Sequence, residues 1–289
     1  MNYVYHLIVY FEVYAIVAMS LNLLIGYGGL LQVAHAAYYG VGAYAAALVW
    51  SNLGWGFFTG LGAAALSAGL LSLLVSLPAW RFKGDSFVMI SIAVQTLLYA
   101  ALYNWTEVTN GPFGISGISR PVIANYNFVT TGSIMLLYGC LALMLGTVMA
   151  LLKWSPFGRA LQAMRDDELA ARSIGLPVDW LKLQSFAIAS FMVGIAGGLY
   201  AAYVSYIDPT SFSLNESILM LSMVIVGGTG NVRGPLTGAA VLILLPEILR
   251  YLHLPDNIAA NVRLLAYGLL MIVMMHIRPQ GLAGVYRYQ

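Results

Sequence analysis

The stretch RDDELAARSIGLP, Arg165 to Pro177, carries five charges in its first eight residues, in a chain where only 8% of residues are charged. That contrast decides what surrounds it. A 289-residue chain that is 61% hydrophobic lies outside the composition of soluble domains, about a quarter of whose residues are charged. The apolar runs to either side reach about 20 residues, the length a helix needs to cross roughly 30 Å of hydrocarbon. A membrane barrel would instead alternate in short segments. The fold class is therefore all-α and integral to the membrane, and the charged stretch is a loop that returns the chain to water.

Apolar runs bounded by Gly, Pro and charge predict about nine membrane helices, with eight to ten allowed, near 4–25, 32–50, 57–77, 86–104, 132–153, 184–207, 217–230, 235–252 and 262–277. Together they form one transmembrane domain, residues 1–289, with 154–183 as its charged loop. Glycine clusters at Gly26–Gly29 and Gly227–Gly234 either cross or dip as re-entrant backbone. MNYVYHLIVYFEVYA, at the start, lacks a signal peptide's basic region and reads as a retained first span. With the charged loop cytoplasmic, alternation puts Arg81, Lys83, Lys153, Arg159, Arg165, Arg172, Lys182, Arg233, Arg278 and Arg287 on the same side. Arg120, Arg250 and Arg263 remain opposite, an asymmetry that obeys the positive-inside rule. The 105–131 loop and the N-terminus are then external and the C-terminus cytoplasmic. LLIGYGGLLQVAHAAYYGVGAYAAAL and MVIVGGTGNVRGPLTGAAVLILL echo each other as helix, glycine cluster, small-residue helix, a pattern common to transporter repeats and to tight packing alike.

Nine of the chain's 24 charged residues, 13 basic and 11 acidic, fall between Lys153 and Lys182. Helix punctuation there predicts folded structure. Ser155 and Pro156 read as N-cap and first residue of one short helix; Asp166 caps a second that ends at Gly175, before Pro177. Glu168 and Arg172 stand four apart in the favourable order, and Ala170, Ala171 and Ile174 form the other face. Small residues opposite paired charge suit either a helix docked in another protein's groove or a loop kept soluble by its charge.

ELAARSIG resembles the E-x-A-A-x-x-x-G form of the EAA loop of ABC importer permeases. SLNLLIGYGGLLQVAHAAYYGVGAYAAAL (20–48), RFKGDSF (81–87), TNGPFGISGI (109–118), SPFGRALQAMRDDELAARSIG (155–175), FMVGIAGGLYA (191–201) and VGGTGNVRGPLTGAA (226–240) are similar, in order and spacing, to the LivM-type permeases of branched-chain amino acid ABC importers. Gln32 and Ala34 depart from a common Ser and Gly, Asn110 stands where a second glycine is usual, and Gln95 replaces an acidic stretch. These departures bear on the cargo more than on the class. The resemblance implies a permease subunit of the bacterial cytoplasmic membrane that moves branched-chain or similar hydrophobic amino acids. It implies a second, related permease, two ATPase subunits and an extracytoplasmic binding protein as partners, with neither cofactor nor nucleic acid. It also implies that Arg165, Asp166, Asp167, Glu168, Ala170, Ala171 and Gly175 couple to the ATPase.

No G-x-x-x-x-G-K-[ST] occurs to cradle ATP phosphates, so energy has to come from another chain. GISGI (114–118) misses a G-x-S-x-G elbow by its last residue, and His6, His35, His253 and His276 lack metalloprotease spacing. Cys140 is the single cysteine and has no partner for a disulfide. Polar residues within spans are costly and mark candidate paths: Glu12, Asn22, Gln32, His35, Gln95, Glu216 and Glu247. Glu12 and Glu216 read as span ends reached by water, which leaves Asn22, Gln32, His35 and Gln95 as the translocation-path candidates. Gly111, Gly114 and Gly117 allow unusual backbone angles in an external loop that is either a gate or an ordinary surface loop. Two other transport readings remain open: a related permease for urea or short amides, and an ion-coupled carrier relying on an intramembrane carboxylate such as Glu247. A membrane enzyme has little support.

Overall fold

Gly42 of the second span and Gly194 of the sixth touch backbone to backbone: a Cβ on Gly42 would lie 2.5 Å from the Gly194 Cα. That contact marks the centre of the computed structural model, which describes residues 2–82, 84–123, 126–250, 256–278 and 280–284. Helices occupy each of the nine predicted places. They are α1 (Asn2–Asn22), α2 (His35–Leu48), α3 (Phe57–Ser76), α5 (Asp85–Asn104), α7 (Thr131–Trp154), α10 (Val178–Val204), α11 (Leu214–Gly227), α12 (Arg233–Arg250) and α13 (Asp256–Ile277). Short helices α4 (Pro78–Arg81), α6 (Thr106–Thr109), α8 (Pro156–Asp166) and α9 (Glu168–Ser173) lie between them. π-helical turns extend α1 through Leu23–Tyr27 and α2 through Val49–Leu53.

Among the described residues, four segments are individually long and apolar enough to span a bilayer: Tyr3–Tyr27, Asp85–Asn104, Thr131–Trp154 and Val178–Val204. The others are shorter or less apolar and depend on neighbours. α10 packs along α2 and α3, and α1 along α7, α10, α11 and α12. Small residues make the first of these contacts close, since a Cβ on Gly197 would stand 2.1 Å from the Tyr39 carbonyl oxygen. α5 and α7 instead leave apolar side chains open, such as Met89 (71% exposed) and Leu143 (73%).

The structure moves several boundaries and adds two short two-stranded sheets. α10 begins at Val178, not at 184, because a few polar residues in its first turns mask a helix that is already formed. It ends at Val204, where Ser205 turns left-handed at φ 59°. β1 (Ile115–Ser116) pairs antiparallel with β4 (Tyr206–Ile207), and β2 (Val122–Ile123) pairs with β3 (Tyr126–Asn127). The glycine clusters lie at helix ends. Gly26 belongs to the turn that ends the first span, and Gly227 is the last residue of α11. The two clusters meet: the Asn22 Nδ2 donates to the Asn231 carbonyl (2.9 Å), and the Gly230 N–H donates to Asn22 Oδ1 (3.3 Å). Lys83, His253 and Arg287 lie outside the described residues, as does the Arg250 side chain.

Candidate functional site: the charged loop and the start of the second span

α8 starts as the punctuation predicts: the Gly158 N–H donates to the Ser155 hydroxyl at 3.1 Å, with Pro156 as the first helical residue. The second cap is Asp167, not Asp166. Its carboxylate accepts from the N–H groups of Leu169 (2.8 Å) and Ala170 (3.0 Å). A capping residue needs extended backbone, which Asp167 has at φ −155°, whereas Asp166 is the last residue of α8 and binds Arg165 at 2.9 Å. Gly175 closes α9 with φ +86°, letting the Leu176 N–H reach back to the Ala171 carbonyl at 3.1 Å.

The carboxylate side of α9 faces the protein and its small-residue side faces away, except for Ala171. Glu168 turns inward, where it binds Arg172 (3.1 Å) and Lys182 of α10 (3.2 Å). Lys182 is 2% exposed and also donates to the Ala79 carbonyl of α4 at 3.0 Å. Arg172 adds Asp179 at 2.6 Å, and these two carboxylates raise its pKa above the usual guanidinium value. Ala171 is buried with them, while Ala170, Leu169 and Ile174 face out, the latter two each 74% exposed. Arg165 Nη1 donates to the Gly26 carbonyl at 2.6 Å, and its side chain lies against Gly29. The loop is therefore riveted to the ends of α1, α4 and α10, around a cavity of about 260 Å³. Lys182 and Asp179 carry much of that fixation and were legible only as charge.

Three of the four path candidates converge at the start of α2, where orphan N–H groups must be satisfied in a dry interior. Gln95 Oε1 accepts from the Ala37 N–H (2.8 Å) and the Ser217 hydroxyl (3.1 Å), and its Nε2 donates to the Phe212 carbonyl (2.8 Å). Ser217 in turn accepts from the Ala36 N–H (2.9 Å), and Ser91 accepts from the Val33 N–H (2.9 Å). Gln32 Oε1 accepts from the Ala34 N–H (2.9 Å), which orients its amide nitrogen toward His35 Nδ1 (3.0 Å). Nδ1 is then an acceptor, so Nε2 bears the proton and donates to the Ser20 hydroxyl (2.8 Å), which passes its own to the Val17 carbonyl (2.7 Å). Gln32, His35 and Gln95 are each at most 1% exposed. Asn22 stands apart, in the glycine-cluster contact described above. Ser91 and Ser217 completed the network without having been singled out.

Glu12 lies halfway along the first span, against Gly139 of α7, and not at a water-reached end. Glu216 is near the start of α11, and it accepts a 2.5 Å hydrogen bond from the Tyr14 hydroxyl. In the long loop, Gly111, Gly114 and Gly117 have φ of 55°, 65° and 76°. Asn110, where a glycine is usual, also turns left-handed (φ 60°), and its side chain donates to the Gly114 carbonyl at 2.9 Å. The Gly114 backbone is pressed against Ile207, just past the end of α10.

Residues 3–275 match the family described as branched-chain amino acid transport system / permease component. The chain belongs to that family. The permease is 32% identical to the Escherichia coli (strain K12) high-affinity branched-chain amino acid transport system permease protein LivM, over 96% of this chain and 69% of that one. It is 25% identical to a probable branched-chain amino acid transport permease protein LivM of Methanocaldococcus jannaschii, over 96% and 92%. It is also 28% identical, over 64% of this chain and 54% of the relative, to the autoinducer 2 import system permease protein LsrC of Yersinia enterocolitica. Among solved structures, PsaBC from Streptococcus pneumoniae in complex with Fab aligns with a TM-score of 0.47 at 14% identity, over 95% of this chain and 91% of that one.

Proposed function

We propose that this permease is one membrane subunit of an ATP-driven importer that brings branched-chain or similar hydrophobic amino acids across the bacterial cytoplasmic membrane. It pairs with a second, related permease and works with two ATPase subunits and an extracytoplasmic binding protein. Residues 1–289 act as one transmembrane unit, and 154–183 is its cytoplasmic coupling segment. The observation that carries this reading is the two-sided α9: an inward face whose Glu168 and Arg172 are tied to α10, and an outward face of Leu169, Ala170 and Ile174. A partner that pushes on the outer face moves α10 through Lys182 and α1 through Arg165, so its force reaches the spans without chemistry in this chain. The amides and imidazole at the start of α2 support the path by holding its wall rather than by gripping cargo.

The test is uptake in proteoliposomes holding the full complex, comparing leucine with urea. Leucine uptake that requires ATP supports the reading; urea uptake, or uphill leucine uptake on an ion gradient without the ATPase, overturns it. Ile174→Asp should reduce ATPase co-purification, because it places a charge on the docking face while leaving the inward network intact.

A further inference from the structure

At the end of the molecule away from the charged loop, a cavity of about 390 Å³ opens between α1, α11, α12 and α13. Its size lies at the lower end of the range of about 300–1,000 Å³ typical of small-molecule sites. The wall includes one carboxylate, Glu247, and one guanidinium, Arg263; four tyrosines, His6 and aliphatic side chains such as Leu219 and Ile243 make up most of the rest. Among the described residues these two charges form no ion pair with each other; Glu247 instead accepts from the Tyr3 hydroxyl. Pro246 adds a second acceptor. Having no N–H, it cannot supply the helical hydrogen bond to the carbonyl of Leu242, which also lines the cavity.

We infer that this cavity is a transit site for an aliphatic α-amino acid in its zwitterionic form. Glu247 and the Leu242 carbonyl receive the ammonium, Arg263 receives the carboxylate, and the apolar wall receives the side chain. One charge of each sign makes the site match a ligand with one charge of each sign. Urea and short amides offer neither charge, and basic or acidic side chains would bring a third charge against a wall of aromatic and aliphatic side chains. Contacts this few hold the cargo weakly enough to release it onward. The site rests on the importer reading above and adds to it a place within this subunit.

The test uses the full complex in proteoliposomes, with Cys140 replaced by Ser and Leu219→Cys as a reporter labelled from outside by a small polar thiol reagent. Millimolar leucine should slow labelling several-fold and urea should not. Glu247→Gln or Arg263→Gln, read only in complexes that co-purify with the ATPase, should abolish that protection and slow leucine uptake about tenfold, as expected for one lost charge-assisted hydrogen bond. Glu247→Asp and Arg263→Lys should restore part of both. If the parent complex imports leucine, yet labelling ignores leucine and both variants import at the parent rate, the site is wrong and the importer reading stands. If the parent complex does not import leucine, the importer reading itself fails. Protection that persists without leucine and disappears when phosphatidylethanolamine is left out of the vesicles would assign the cavity to a lipid headgroup and overturn the proposal.

Discussion

Two polar networks brace this subunit, and they are made of different groups. Around the start of α2 the members are amides, hydroxyls and one imidazole, with Gln32, His35, Gln95, Ser91 and Ser217 each at most 1% exposed. Around α9 they are full charges, and three of them reach water: the side chains of Glu168, Arg172 and Asp179 are 18%, 39% and 42% exposed. Solvation explains the division. An ion removed from water costs several kcal/mol even when paired, whereas a neutral group with its hydrogen bonds satisfied costs little. Lys182 is the exception at 2% exposure, and it has both a carboxylate and a carbonyl to offset its burial. The consequence is energetic. Water can replace a lost partner in the outer network, but nothing can replace one in the inner network, so the same kind of substitution should cost more at the start of α2 than at α9.

The sharpest way to break that comparison is Gln95→Leu. It strands the Ala37 N–H, the Ser217 hydroxyl and the Phe212 carbonyl in a dry interior, and should destabilise the detergent-solubilised subunit by about 3 kcal/mol or more. A thermal melt followed by size-exclusion chromatography measures it; an unchanged midpoint would show that the inner network holds nothing. Lys182→Met should cost about 2 kcal/mol by the same assay, since Glu168 keeps Arg172 but Ala79 loses its donor. A double-mutant cycle with Glu168→Gln should give a coupling of roughly 1–2 kcal/mol that salt barely alters. Gly175→Val has open space around its Cβ but the wrong backbone sign, so its cost should be about 1–2 kcal/mol of strain, seen mainly as ATP hydrolysis poorly coupled to uptake. Arg172→Ala, at the exposed end, should change stability by under about 1 kcal/mol and by less still in high salt.

How much of this was legible follows the same division. Long apolar runs located a helix at each of the nine expected places because length and hydropathy are local properties. The start of α10 was not legible, since Asp179, Trp180 and Lys182 interrupt the run while the helix continues through them. Adjacent Asp166 and Asp167 are chemically equal as caps, and only the backbone angle chooses between them. The inward turn of Glu168 depends on Lys182, 14 positions away, and the role of Gln95 on Ala37 and Ser217, 58 and 122 positions away. Residue type marked Gln32, His35 and Gln95 as unusual in a membrane; their partners, which decide what they do, come from folding. The left-handed turn at Asn110 was the opposite case. A glycine position filled by asparagine already carries the angle in its chemistry.

The clasp between Asn22 and the 230–231 backbone has a consequence for how such a machine cycles. Both arms of one amide are committed, one giving and one receiving, across the seam where two look-alike segments abut. Any sliding along that seam would leave three polar groups bare in a place with no substitute. The segments are thus welded, and any motion of this subunit carries the two together.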